Sequence, residues 1–143
     1  MEDTLILVSA DHGLIDVQNK TYLNDYPELT DCFLMPPFIE GRLMSFFIRE
    51  DLREAFKERF EKLFSNDFML FTRQEALEKG LFGPGQPHKK TLDFIGDFIA
   101  CAIGPKLFDY MPLTKTKKFE FTATHAGLTK EEMLVPLIVV ESK

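Results

Sequence analysis

Tryptophan is absent, cysteine occurs only twice, and no apolar run reaches the ~18 residues that a membrane-spanning helix requires. The two cysteines, Cys32 and Cys101, are isolated and show no paired spacing, which excludes a disulfide framework and a thiolate metal knuckle. They read as reduced thiols, and with no signal-peptide pattern before the first apolar segment the expected location is cytoplasmic. Positive charge is also in short supply. Seventeen Lys and Arg face 23 Asp and Glu, for a net charge of −6, which speaks against a nucleic-acid partner. No membrane partner is expected either. What the sequence has in quantity is phenylalanine, 15 residues of it, within a composition that is 45% hydrophobic and 28% charged. That balance suits a globular chain with a substantial core.

The chain opens on "TLILVSADHG", in which residues 4–10 form a fully apolar strand without polar alternation. Such strands are normally buried on both faces within a parallel sheet, so this one calls for neighbours. From Leu14 to Pro37 no period is sustained, and "NDYPELTD" carries turn and cap residues. "RLMSFFI" at 42–48 predicts a second strand. "EDLREAFKERFEKLF" at 50–64 predicts a helix, with Leu52, Ala55, Phe56, Phe60, Leu63 and Phe64 on one face and Asp51 as its cap. A strand at 68–71 leads into a short helix at 72–80, boxed by Thr72 and Glu75 and stopped by Gly80. "GPGQPHKK" at 83–90 is a loop, "DFIACAI" at 97–103 a buried strand, and "LTKTKK" at 113–118 a basic surface connection. The last segment, "FEFTATHAGLTKEEMLVPLIVVES", supplies a strand, a loop, a one-turn helix boxed by Thr129 and Glu132, and an apolar strand at 136–141. Strands and helices in alternation give an α/β class.

Chemistry has few candidates. Asp11 and His12 follow a strand end, where the loops of open α/β sheets converge on ligands. A carboxylate and an imidazole side by side can serve one cation, and Gly13 lets the backbone turn. His125 lies in a second small-residue loop, "THAGLT". Taken singly, both patterns are equally those of polar turns after strands. His88, between Pro87 and two lysines, reads as a solvated loop residue. Glu54, Glu58 and Glu61 form a solvated helix face, and "GPGQP" lacks the lysine and hydroxyl of a phosphate-binding P-loop.

The two histidine loops taken together resemble the last part of the alkaline phosphatase superfamily, most closely its type I phosphodiesterase/nucleotide pyrophosphatase branch. There, a strand ending in Asp-His-Gly is followed by an insertion. After it comes His-Gly-Gly-Leu-(Ser/Thr)-x-Glu-Glu-Met-x-Val-Pro-Leu. "HAGLTKEEMLVPL" here matches that motif except at Ala126, which stands in place of a glycine. "YLNDYPEL", "LTDCFLMPP", "TRQEALEKGLFGPGQPH" and "IGDFIACA" also resemble that branch, so the likeness runs over essentially the whole chain.

The resemblance implies the carboxyl-terminal part of an alkaline-phosphatase-like αβα sandwich with a small α+β insertion. Residues 1–30 and 119–143 would be core segments and 40–110 the insertion. It also implies two divalent metal ions, zinc in most of the family, held near strand ends. Asp11 and His12 would serve the ion that activates the nucleophile, and His125 the second ion. The nucleophile loop and an Asp-x-x-x-His motif have no counterpart ahead of Asp11. A carboxyl-terminal fragment is therefore expected, contributing ligands to a hydrolase of phosphate-ester or nucleotide-type small molecules. Alone it is expected to be inactive, to bind metal weakly or not at all, and to self-associate through uncovered apolar surface. Two other readings stand beside this one: a non-enzymatic interaction module built on the insertion, and a phosphomutase-type member of the same superfamily.

Overall fold

The computed structural model describes residues 3–111 and 122–141. The basic connection expected at 113–118 lies outside the described residues. In chain order the elements are β1 (Leu5–Ser9), β2 (Ile15–Asp16), β3 (Asn19–Tyr22), α1 (Pro27–Thr30), β4 (Phe38–Glu40), β5 (Leu43–Phe46), α2 (Arg53–Phe64), β6 (Phe68–Thr72), α3 (Arg73–Glu78), α4 (Thr91–Phe94), β7 (Phe98–Ala102), β8 (Lys106–Asp109), β9 (Ala123–Thr124), α5 (Lys130–Met133) and β10 (Leu137–Glu141).

The core is built on α2. Phe56, Phe60 and Phe64 recur at helical spacing, are buried, and project onto a four-stranded antiparallel sheet of order β4-β5-β7-β6. From the sheet side Phe46, Phe68 and Phe98 meet them, and Phe108 stacks on Phe68 with ring centroids 3.8 Å apart. Each buried aromatic ring typically removes roughly 150–250 Å² from water, so the phenylalanine cluster makes a large hydrophobic contribution to stability. Leu63 remains exposed, so the apolar face of α2 is narrower than the sequence predicts. Asp51 does not cap the helix. A 3₁₀ turn over Glu50–Leu52 leads into it, and Leu52 occupies the cap position with no side-chain bond. The box at α3 forms as read, with the Thr72 hydroxyl accepting from the Glu75 N–H and Glu75 returning to the Thr72 N–H. Gly80 ends that segment at φ +65°, a conformation that favours glycine.

A second, smaller group of apolar side chains (Phe71, Ala76, Ile95, Ile99 and Cys101) fills the other face of the sheet beneath α3. Two short strands, β3 and β8, form a parallel pair in which β8 buries Leu107 and Phe108, and α1 sends Leu29 into the main core. Neither feature has a pattern in the sequence.

The first and last strands pair, Leu5 with Glu141 through Ser9 with Leu137. Their environment corrects the reading of a buried parallel strand. The pairing is antiparallel, and every residue of both strands is exposed, Leu7 at 60% and Val139 at 55%. Apolar composition reports what a strand prefers to contact. Among the described residues, nothing covers either face of this ribbon.

Candidate metal-binding site

Two ladders bring the histidine loops together. β1 and β10 run side by side, and just beyond them β2 pairs with β9, Ile15 opposite Thr124 and Asp16 opposite Ala123. Asp11 and His12 lie between β1 and β2, and His125 directly follows β9. The two imidazole rings consequently stack, with centroids 3.8 Å apart and planes 20° from parallel.

His12 is oriented by its own loop. Its Nδ1 donates to the Gly13 carbonyl oxygen at 2.8 Å, because a carbonyl can only accept. That leaves Nε2 as the nitrogen with a lone pair to offer. It sits 3.5 Å from Asp11 Oδ2. Two donors that each reach a tetrahedral cation at ~2.0–2.1 Å stand about 3.3 Å from one another, so the pair is spaced as one edge of such a coordination shell. His125 has a different neighbour, with Nδ1 lying 3.8 Å from Glu40 Oε2. Glu40 had no signal in the sequence, being an ordinary acidic residue at a strand end. It reaches the site only through the packing of β4.

Lone pairs of stacked imidazoles lie in their ring planes. Rings in near-parallel planes therefore address two adjacent cations more readily than one, and two-metal sites hold ions at ~3.5–4 Å. The chain's own donors are few. Among the described residues, no group of three or more His, Cys, Asp and Glu side chains is placed to enclose a metal ion. Asp11 is also almost fully exposed, at 87% of its side chain. The residues fit the edge of a metal centre and not a closed one.

Two backbone conformations mark the same region. Ala126, adjacent to His125, has φ +82°, and Ile39, adjacent to Glu40, has φ +86°. Both lie in the left-handed region, which for a β-branched residue is an outlier. Strain of this kind persists only where surrounding structure imposes it. His88 is elsewhere. It accepts from the Lys90 N–H at 3.2 Å and lines a cleft of about 260 Å³ in the glycine- and proline-rich loop.

No protein-family model matches the chain, and no curated protein sequence matches it. Solved structures do. Phosphonoacetate hydrolase from Sinorhizobium meliloti 1021, in complex with phosphonoformate and with phosphonoacetate, matches at a TM-score of 0.66 and 20% identity, over 94% of this chain and 35% of that one. Murine ectonucleotide pyrophosphatase/phosphodiesterase 5 matches at a TM-score of 0.64 and 12% identity, over 99% of this chain and 35% of that one. The chain thus spans 35% of the length of the proteins it matches, and at these identities the likeness establishes the fold. It carries the α/β fold of the matching third of these proteins.

Proposed function

We propose that the chain supplies metal-ligand loops to a metal-dependent phosphoric ester hydrolase of the phosphodiesterase/nucleotide pyrophosphatase type. The observation that carries this reading is the stack of His12 on His125, two residues from opposite ends of the chain, with Asp11 Oδ2 beside the available nitrogen of His12. Asp11 and His12 would hold one divalent cation and His125 a second, zinc being the ion best matched to imidazole and carboxylate donors. Bound cations would lower the pKa of an attacking hydroxyl and offset the charge spread over a phosphoryl group. The chain's own contribution is orientation. The Gly13 carbonyl fixes the His12 ring, and Glu40 faces His125 as carboxylates face metal-bound histidines elsewhere.

The substrates would be small phosphate-ester or nucleotide-type molecules, with no nucleic-acid or membrane partner. No described helix is long and apolar enough to cross a membrane. Both cysteines are free and buried, which supports a reducing, cytoplasmic setting. Three ligands for two ions leave each cation short of the four contacts of a closed site. The chain alone would then bind metal weakly and lack turnover. The remaining donors and the nucleophile would come from a portion equivalent to the other two thirds of the matched proteins.

Calorimetric zinc titration of the 143-residue chain, with a p-nitrophenyl phosphodiester assay, tests this. Weak zinc binding that disappears in His12→Ala, without hydrolysis above background, is the expected result. Robust turnover by this chain alone would overturn the division of labour. Zinc binding that is indifferent to His12 and His125 would overturn the metal assignment.

A further inference from the structure

We infer that Glu132 is the positioning residue of the two-histidine site, one side chain and its backbone fixing both loops at once. The inference rests on the metal-site reading above. It begins from a residue buried more deeply than its local role requires. Glu132 is the third residue of α5 and completes the capping box with Thr129, accepting from the Thr129 hydroxyl at 2.7 Å and its N–H at 3.3 Å. Glu75 does the same for α3 by bonding Thr72, and it is only half-buried. Glu132 is 3% exposed and faces Arg42, itself completely buried, in a two-pronged ion pair at 2.5 and 2.6 Å. Arg42 is anchored in turn by the carbonyl oxygens of Gly104 and Lys106. A cap needs none of this.

The additional bonds go to the histidine loops. Oε1 of Glu132 accepts from the Gly127 N–H at 2.8 Å, two residues after His125. The carbonyl oxygen of Glu132 accepts from the Gly13 N–H at 2.9 Å, one residue after His12. The approach at Gly13 is close enough that a Cβ there would run into the Glu131 carbonyl oxygen, and one at Gly127 would crowd Arg42 and the Glu132 carboxylate. Both loops are therefore registered against the same residue, and that residue is tied through Arg42 to the sheet of the inserted unit. Burial raises the Glu132 carboxyl pKa. The hydrogen bond from Arg42, with those from Thr129 and Gly127, outweighs that effect, so the group is held below its ordinary value and stays charged for Arg42. A group in this place sets the separation of the two rings without touching a substrate.

Proton NMR of the metal-free 143-residue chain reads that separation directly. Stacked rings displace one another's proton resonances, and the Phe68–Phe108 stack in the core is an internal control for the fold. Glu132→Gln is expected to abolish the mutual displacement of the His12 and His125 signals while leaving the phenylalanine signals in place. Glu75→Gln, which removes only a helix cap, should leave both. In zinc titrations Glu132→Gln should bind about 10- to 100-fold more weakly, the loss typical of groups that orient metal ligands. Histidine signals unchanged in a folded Glu132→Gln would overturn the inference. If that variant loses the phenylalanine signals as well, Thr129→Val decides: a partial change confined to the histidines supports the role, and none overturns it. Stacked histidines together with zinc binding that is indifferent to His12→Ala and His125→Ala would defeat the metal reading and not the positioning one.

Discussion

His12 and His125 stand with ring centroids 3.8 Å apart, and the register between β2 and β9 places them there. Substitution separates their roles from that of the third histidine. Asp11→Ala, His12→Ala and His125→Ala should each weaken zinc binding at least tenfold, while His88→Ala should leave it unchanged. Titration calorimetry on the four variants checks this. In a protein carrying the portion equivalent to the rest of the matched hydrolases, the same three substitutions should severely reduce phosphodiester hydrolysis.

Ala126 adopts φ +82°, which an L-residue reaches at a cost of roughly 1–2 kcal/mol and glycine reaches freely. Ala126→Gly removes that strain and adds entropy to the unfolded chain, leaving a net gain of about 0.5–1 kcal/mol. Thermal unfolding should show a higher midpoint in the glycine variant. A lower one would mean that the turn is not strained.

The Arg42–Glu132 pair makes stability sensitive to acid. The Glu132 carboxyl is held below its ordinary value of 4.5, so the unfolded chain takes up its proton first as pH falls. Its contribution is complete above that value and is lost as pH drops through the folded-state value. Urea unfolding at pH 7 and pH 3.5 should therefore show a larger loss for wild type than for Arg42→Met combined with Glu132→Leu. Glu132→Ala alone strands a buried guanidinium and should cost about 3–5 kcal/mol.

Apolar residues cover both faces of the β1–β10 ribbon, and Leu7 lies opposite Val139. Uncovered ribbons of this kind pair or stack with their own copies. Sedimentation equilibrium should show concentration-dependent dimers or larger species, and Leu7→Lys with Val139→Glu should shift the population to monomer. A wild-type chain that is monomeric at high concentration would contradict this.

Cys101 is fully buried in the second core group, and burial pushes its thiol up to about 12. Cys32 is also raised by burial, with Arg59 opposing. Neither thiol should react with a disulfide reagent at pH 8 in the native protein, and both should react once it is unfolded.

Local chemistry was written plainly in the sequence. Thr72 with Glu75 and Thr129 with Glu132 are capping boxes whose partners sit three residues apart, and the phenylalanines of α2 mark their face by spacing alone. The resemblance singled out Asp11, His12 and His125 as candidate ligands, and the structure brings the rings of His12 and His125 into contact. Tertiary structure decided what depends on distant partners. It pairs β3 with β8 in a short parallel ladder whose hydrogen bonds come from the backbone, so neither strand's side chains name the partner. It sets Glu40 beside His125 and turns Glu132 from a helix cap into a buried ion pair with Arg42, 90 residues away. It also leaves the apolar ribbon in water, since hydrophobicity states a preference for burial while only the surrounding elements can supply it.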